Sequence, residues 1–418
     1  KATAPEPAGR EGEGGAGETE DLPDAKGWSR HCPIRVPETG PDGAFLLNAL
    51  KRREGIVFPG ALRNGGGRMD WRETANRIQP ISRAWLDTAW NRLDDLTKPR
   101  RSLGLLEEMA ARYTAIREED SPRMTGKAVY VFAGDHGVVA EGVSAYPQEV
   151  TTHMVRTFLT GGAGINVLAR AAGAEVSVVD IGMAQALSDA PGLIQRCVRR
   201  GTGNLVLEPA MTLEEAEAAI GVGMEMAQAA HARGVSVVAT GDMGIGNTTP
   251  SSALFAALLP AAAADVTGRG TGLDDAGLAH KVDVIIRALE HHAIGAEDPL
   301  AALAAVGGLE MAAICGLCLG GASLRLAVVV DGFISSAGAL TAMRLNPSVI
   351  DYLFFSHCSV EKGHRVFFER ERLRPILDLD LRLGEGTGAA VAMQILEDSV
   401  RIYNEMSTFA EAGIQPGA

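Results

Sequence analysis

The sequence predicts an α/β protein with a doubly wound, mostly parallel, Rossmann-like sheet and a small helical subdomain built from N- and C-terminal segments. Short apolar runs alternate with alanine-rich stretches of helical spacing, a pattern typical of strands covered by helices on both faces. Glycine and polar residues follow the runs, at the strand ends where open α/β sheets bind ligands. The runs are 128–132, 176–179, 235–239, 326–330 and 352–355.

Three regions are predicted along the chain. Residues 1–75 are rich in Gly, Pro, Glu and Ala and have little apolar surface to bury, so we expect a low-complexity, disordered extension. Residues 76–120 carry apolar side chains at helical spacing and are predicted to form a helical subdomain with the last helix, within 390–418. The alternation of strands and helices places the α/β domain in residues 121–389.

Charge and composition argue against several classes of protein. The 418 residues have a net charge of −13 and no stripe of Lys or Arg, so neither nucleic acid nor an anionic membrane is expected as the main partner. No segment resembles a signal peptide, and no apolar run reaches the roughly 20 residues of a membrane span. Five irregularly spaced cysteines fit reduced thiols, and we therefore expect a cytoplasmic location.

The most informative motif is residues 239–249, Ala-Thr-Gly-Asp-Met-Gly-Ile-Gly-Asn-Thr-Thr, between a predicted strand and a predicted helix. Free backbone N–H groups and the helix dipole make such a turn a phosphate-binding site. The spacing matches neither the dinucleotide fingerprint nor the Walker A motif, and a simple turn is the alternative. Four other strand ends favour a functional crevice: Gly134-Asp135-His136-Gly137, Asp180-Ile181-Gly182, Asp331-Gly332-Phe333 and Ser356-His357-Cys358-Ser359.

Charged residues elsewhere are further candidates. Glu385 stands among glycines before the last helix, where burial would raise its pKa and the helix N-terminus would lower it; a helix-capping carboxylate is the alternative. Lys281 could bind a phosphate or lie on a solvated helix face. Asp135 and His136 could form a dyad or merely cap a turn. No metal is expected, because these residues lack the spacing of metal ligands: Cys315, Cys318, His357, Cys358 and His364.

Taken together, the motifs between about Ile81 and Ile414 resemble the nicotinate-nucleotide–dimethylbenzimidazole phosphoribosyltransferase family of cobalamin assembly. The number and order of the motifs make the resemblance specific. They are 98–99, 102–104, 133–138, 141–143, 244–249, 281–283, 306–308, 331–333, 356–357 with 359, 361–363 and 383–386. The resemblance implies transfer of phosphoribose from nicotinate mononucleotide to a benzimidazole-type base, giving an α-ribazole 5′-phosphate and nicotinate. It also implies small-molecule substrates, no cofactor and a homodimer.

The resemblance further implies roles for individual residues. Glu385 would accept the proton of the incoming base. Asp242 stands where the family usually has Glu, so it is either a second catalytic carboxylate or an anchor for the loop or a water. The phosphate and ribose would be held by Gly244, Gly246, Asn247, Thr248, Lys281, Asp331, Gly332 and Ser359. The pocket for the flat base would be lined by Tyr146, Met154 and Leu383. Arg101 occupies a position that is commonly Gly.

The implied chemistry agrees with this set of residues. Nicotinate leaves through a ring nitrogen that becomes uncharged, so it needs no general acid. The base must lose an N–H proton, so one carboxylate suffices as general base. Apolar and aromatic contacts predict tolerance of several benzimidazoles and of purines. Two other classes stay open at this point: a non-catalytic sensor or carrier of a phosphorylated nucleoside, and a nicotinamide-dependent oxidoreductase, whose fingerprint is missing.

Overall fold

A six-stranded parallel sheet forms the centre of the computed structural model, which describes residues 70–270 and 272–414. The strands are β1 Lys127–Gly134, β2 Glu175–Gly182, β3 Leu193–Gln195, β4 Val237–Met243, β5 Ala327–Val330 and β6 Leu353–Phe355. Their order across the sheet is β3-β2-β1-β4-β5-β6, and every neighbouring pair is parallel. The order reverses between β1 and β4, which is the switch point at which such sheets bind ligands.

Helices connect the strands and cover both faces of the sheet. They are α1 Trp71–Arg77, α2 Arg83–Asp95, α3 Leu105–Arg117, α4 Glu149–Thr160, α5 Gly164–Ala171, α6 Leu213–Ala232, α7 Thr248–Leu258, α8 Ala263–Val266, α9 Asp275–His292, α10 Pro299–Val306, α11 Leu309–Ser323, α12 Phe333–Leu345, α13 Lys362–Glu371 and α14 Thr387–Glu405. Two 3-10 segments, Gly137–Glu141 and Pro347–Tyr352, follow β1 and precede β6. The predicted α/β class is confirmed.

The core helix α11 is buried on all sides, as expected for a helix that packs between the sheet and other helices. It crosses α6 at very short range, because a Cβ at Gly223 would overlap the carbonyl oxygen of Ala313 and one at Gly316 would overlap that of Ile220. Cys315 and Cys318 lie within this helix and are fully buried, as expected of a small apolar helix.

The helices at the two ends of the described chain pack together. Helices α2, α3 and α14 share a small apolar cluster of Ala89, Leu93, Leu96, Ala110, Ala111 and Tyr403. Helix α1 begins at Trp71, where Asp70 caps it by accepting hydrogen bonds from two backbone N–H groups, so regular structure starts before residue 76. The prediction for residues 1–69 lies outside the described residues, and the division into domains stays a prediction.

Arg101 adopts a left-handed backbone with φ of 62°, which explains why glycine suits this position. Its guanidinium stacks on the Trp90 ring, 3.5 Å from the ring centroid, and pairs with Asp94 at 2.9 Å. These two contacts of the Arg101 side chain offset the strain of its backbone, so the turn forms although the residue is not glycine.

Candidate active site

A cavity of about 1080 Å³ opens at the carboxyl ends of β4, β5 and β6. Eight of the predicted site residues line it: Tyr146, Asp242, Gly244, Asn247, Thr248, Gly332, Ser359 and Leu383. The predicted strand ends after β1 (residues 134–137) and β2 (residues 180–182) are not among the lining residues. Asp180 instead pairs with Arg200 at 2.8 Å. The crevice is therefore lined at the ends of three strands, β4, β5 and β6, and not of the five expected. These three strands are neighbours on one side of the sheet, and β1 and β2 lie on the other.

The glycine-rich turn after β4 forms one wall of the cavity and leads into α7. Asn247 precedes the helix and donates from Nδ2 to Oδ2 of Asp242 at 3.0 Å. Gly246 has a φ of 88°, and a Cβ there would lie 2.6 Å from Cγ2 of Val139. Gly246 itself is not among the lining residues. The turn brings the start of helix α7 to the cavity, and a helix N-terminus favours the binding of anions.

Lys281 lies behind this wall and is fully buried, so the alternative of a solvated helix face is wrong. Its Nζ donates to Oγ1 of Thr248 at 2.7 Å and to the carbonyl oxygen of Gly268 at 3.3 Å. Burial lowers the pKa of Lys281 to about 8, and the charge of Glu361 opposes this shift. A buried ammonium beside a helix N-terminus is suited to a phosphate ligand.

A second glycine-rich turn, Gly268-Arg269-Gly270, lines the same cavity and was not predicted from the sequence. The carboxylate of Glu361 packs against Gly268, so a side chain at this position would require the Glu361 carboxylate to move. Burial raises the pKa of Glu361, while Lys281 and the backbone amide of Gly270 act in the other direction. The Gly-x-Gly spacing between two helices was the only local signal for this turn.

Glu385 lies beside the cavity, next to the lining residues Leu383 and Gly384. Its side chain is buried, and Oε2 accepts a hydrogen bond from the backbone N–H of Ile165 in the first turn of α5, at 3.4 Å. Burial raises the pKa of Glu385 and the Ile165 amide lowers it, with a net increase to which the charge of Asp331 contributes. Burial is therefore the larger effect, and the amide that opposes it belongs to the first turn of α5 and not to the last helix.

Asp331 holds the backbone around Glu385. Its carboxylate oxygens accept hydrogen bonds from the backbone N–H of Gly386 at 3.1 Å and of Ala389 at 2.9 Å. Asp331 is fully buried and outside the cavity lining. Asp331 thus caps the N-terminus of α14, and this structural role explains why the side chain is buried. Helix capping, the alternative considered for Glu385, is thus performed by Asp331.

Asp242, the last residue but one of β4, lies at the wall of the cavity and is buried. Its Oδ2 lies 3.3 Å from the place where a Cβ at Gly384 would be, so the two loops are in close contact. Burial raises the pKa of Asp242 well above its usual value, and the charges of Asp331, Glu310 and Glu385 add to the increase. Asp242 thus favours the protonated form.

His136 pairs with Glu310 rather than with Asp135. Its Nε2 lies 3.0 Å from Oε1 of Glu310, and both side chains are fully buried. Asp135 instead accepts a hydrogen bond from the backbone N–H of Ala184 at 2.8 Å. A Cβ at Gly244 would lie 3.2 Å from Nε2 of His136, so the buried pair packs against the turn after β4.

The residues predicted to bind the flat base are only partly brought together. Tyr146 and Leu383 line the cavity and are 52% and 60% exposed, so they stand at its mouth. Met154 lies on α4, half-buried and outside the lining.

Metal sites and membrane spans are both absent from residues 70–270 and 272–414. No group of three or more His, Cys, Asp or Glu side chains in these ranges could hold a metal ion. None of the helices described there is both long and apolar enough to span a bilayer.

Comparison with known proteins identifies close relatives. A family model described as phosphoribosyltransferase matches residues 78–414. The nicotinate-nucleotide–dimethylbenzimidazole phosphoribosyltransferase of Geobacter sp. strain M21 is 56% identical over 338 residues, covering 81% of this chain and 97% of the relative. That of Geobacter sulfurreducens is 55% identical and covers 82% and 98%. The crystal structure of CobT from Thermus thermophilus matches with a TM-score of 0.77 at 50% identity, covering 80% of this chain and 100% of that one.

Proposed function

The chain belongs to the nicotinate-nucleotide–dimethylbenzimidazole phosphoribosyltransferase family, and we propose that it transfers phosphoribose from nicotinate mononucleotide to a benzimidazole-type base. The products would be nicotinate and an α-ribazole 5′-phosphate for the cobalamin nucleotide loop. The relatives carry the name of an enzyme, which favours catalysis over a non-catalytic sensor or carrier.

The observation that carries this proposal is one cavity with a wall suited to a phosphate and a buried carboxylate beside it. The turn at Gly244 and the helix start at Thr248 form the wall, and the ammonium of Lys281 lies directly behind it. Glu385 adjoins the lining residues Leu383 and Gly384. This arrangement can bind a sugar phosphate and a proton-releasing base at the same time, and positioning two substrates supplies much of the acceleration.

Glu385 acts as the general base in this proposal. The bond from C1′ of the ribose to nicotinate breaks and leaves the pyridine nitrogen uncharged, while the ring nitrogen of the incoming base attacks the same carbon from the opposite face. The N–H proton of the base passes to the Glu385 carboxylate. Because burial raises the pKa of Glu385, the carboxylate is a stronger base than an exposed one.

The other residues are proposed to bind the substrates. Gly332 and Ser359, which line the cavity, would contact the ribose and phosphate together with the Gly244–Thr248 turn. Tyr146 and Leu383 would contact the flat base. Asp242 is proposed to keep a proton and to anchor the turn through Asn247.

The cellular setting is also a proposal. We place the enzyme in the cytoplasm as a homodimer, with residues 121–389 as the phosphoribosyl-transfer domain. The reduced cysteines fit a cytoplasmic location: the described cysteines, Cys197, Cys315, Cys318 and Cys358, are all free thiols. Sedimentation of the purified protein tests the dimer.

The test of the function is release of nicotinate. Purified protein is incubated with nicotinate mononucleotide and 5,6-dimethylbenzimidazole, and nicotinate is quantified by chromatography. Glu385→Gln should slow release by about 10²-fold or more, as expected for loss of a general base. Glu290→Gln, an exposed substitution on α9, is the matched control. Binding of nicotinate mononucleotide without release on any base would favour the sensor.

A further inference from the structure

The 3-10 segment Gly137–Glu141 connects parts of the proposed site that are far apart in the sequence. It follows β1 and leads, through Gly142, to Tyr146 at the mouth of the cavity. Its Val139 side chain packs against Gly246 of the turn after β4. The segment therefore touches the phosphate-binding wall at one point and continues into the base side of the cavity.

Glu141, the last residue of this segment, makes three polar contacts with other parts of the chain. Its Oε1 accepts from Nδ2 of Asn204 at 2.7 Å, and its Oε2 accepts from Nη2 of Arg287 at 3.1 Å. Its backbone carbonyl oxygen accepts from Nε2 of His280 at 2.6 Å. Both carboxylate oxygens are thus used, one toward the loop at Asn204 and one toward α9.

Helix α9, to which Glu141 is bound, also carries Lys281. His280, which contacts Glu141, is the residue immediately before Lys281. Helix α9 also contacts the loop at Asn204 directly, because Nε2 of His292 donates to the carbonyl oxygen of Leu205 at 2.8 Å. Glu141 is therefore the point at which the segment leading to Tyr146 is fixed to the helix of the phosphate-binding lysine.

Residues 142–146, which follow Glu141, make few polar contacts with distant parts of the chain. Gly142 turns the chain with a φ of 75°, and the Ser144 hydroxyl bonds only to the backbone of nearby Tyr146, at 3.1 and 3.2 Å. Tyr146 is half exposed. Val143, which lies between Glu141 and Tyr146, is buried in the core and is a second anchor of this stretch. The position of Tyr146 therefore depends on Glu141 and Val143 before it and on the start of α4 after it.

We propose that Glu141 is a positioning residue for the aromatic base, acting by fixing the segment that carries Tyr146 to α9. The proposal rests on the proposed function only in naming the base as the ligand at this end of the cavity. Glu141 has no contact with the reacting atoms. Its loss should weaken binding of the base and leave the phosphate wall and Glu385 in place.

The test separates the Michaelis constants of the two substrates. Glu141→Gln keeps the size of the side chain and an acceptor for Asn204 but loses the charged contact with Arg287. We expect the KM for dimethylbenzimidazole to rise about fivefold, because the ion pair with Arg287 is partly exposed and such pairs contribute up to about 1 kcal/mol. The KM for nicotinate mononucleotide and kcat at saturation of both substrates should stay within about twofold, a split that general destabilisation would not give.

Two matched variants sharpen the comparison. Arg287→Met removes the same contact from α9, so its effect and that of Glu141→Gln should not add in the double variant. Asp283→Asn removes the other partner of Arg287, at 3.0 Å on the same helix, without touching the segment, and should leave the KM for the base unchanged. If Glu141→Gln fails to fold, Arg287→Met measures the same contact.

The proposal is overturned if the KM for the base stays within twofold in both variants. It is also overturned if the KM for nicotinate mononucleotide rises as much, or if kcat at saturation falls in proportion. Calorimetric titration with dimethylbenzimidazole gives the same comparison without turnover. A wild type that binds the base but releases no nicotinate would refute the proposed function, and the calorimetric comparison would still decide the role of Glu141.

Discussion

The carboxylate of Asp331 accepts a hydrogen bond from the backbone N–H of Gly386 at 3.1 Å, and so joins the end of β5 to the loop that carries Glu385. The same carboxylate raises the pKa of Glu385 by its charge. One buried side chain thus affects both the position and the proton affinity of the proposed general base.

Asp331→Asn should shift the acid side of the pH profile to lower pH. The raised pKa of Glu385 predicts that kcat/KM of the wild type falls with decreasing pH around a value above the ordinary 4.5, because the protonated carboxyl cannot act as base. Removing the charge of Asp331 removes one cause of that increase. Loss of the charged cap should also cost roughly 1 kcal/mol of stability. Nicotinate release from pH 4.5 to 7.5 checks the first effect, and an unchanged profile would contradict it.

Lys281 should set the alkaline side of the same profile. Burial lowers its pKa to about 8, so the free enzyme loses this positive charge as the pH rises through 8. We therefore expect kcat/KM for nicotinate mononucleotide to fall above about pH 8. Lys281→Met should bind the nucleotide weakly at every pH and lack this alkaline decrease. Persistence of the decrease in the variant would assign it to another group.

Asp242→Asn should stabilise the protein increasingly as the pH rises. The folded state raises the pKa of Asp242, so it holds this proton to higher pH than the unfolded chain does. Ionisation therefore removes stability between the ordinary carboxyl pKa and the folded-state value. The amide has no proton to lose and can still accept from Asn247. Urea unfolding from pH 5 to 9, with exposed Asp398→Asn as control, measures the difference in unfolding free energy. A difference that is constant with pH would argue against a protonated Asp242.

Arg101 offers a test of backbone strain outside the site. Arg101→Ala and Arg101→Gly both lose the stacking on Trp90 and the contact with Asp94. Only glycine relieves the strain of a φ of 62°, so the glycine variant should be more stable than the alanine variant by about 1 kcal/mol. Thermal unfolding of the two variants checks this order, and equal stabilities would show that the turn carries no strain.

Local sequence patterns predicted much of the fold. Five of the six strands coincide with apolar runs, and the glycine-rich turn follows β4 as expected. Strand β3 was missed because three residues at the edge of a sheet give no periodicity to detect.

The site was less accessible to such reasoning, because its contacts join distant parts of the chain. His136 and Glu310 are 3.0 Å apart in space but far apart in sequence, and the amide that binds Glu385 belongs to Ile165. The burial of Lys281 was also hidden, since the sequence of a helix does not reveal whether its one lysine points to solvent or is covered by a neighbouring loop. Roles for Asp331, Glu361 and Glu141 emerge only from tertiary contacts.

The close crossing of α6 and α11 limits how this protein can evolve. At Gly223 and Gly316 the first atom of any side chain would meet main-chain carbonyl groups of the opposite helix. A clash with a side chain can be repaired by a second mutation that shortens the neighbour, but every amino acid has the same carbonyl. Substitutions at these two positions have no compensating partner, so neutral drift in this helix pair is confined to the residues around them.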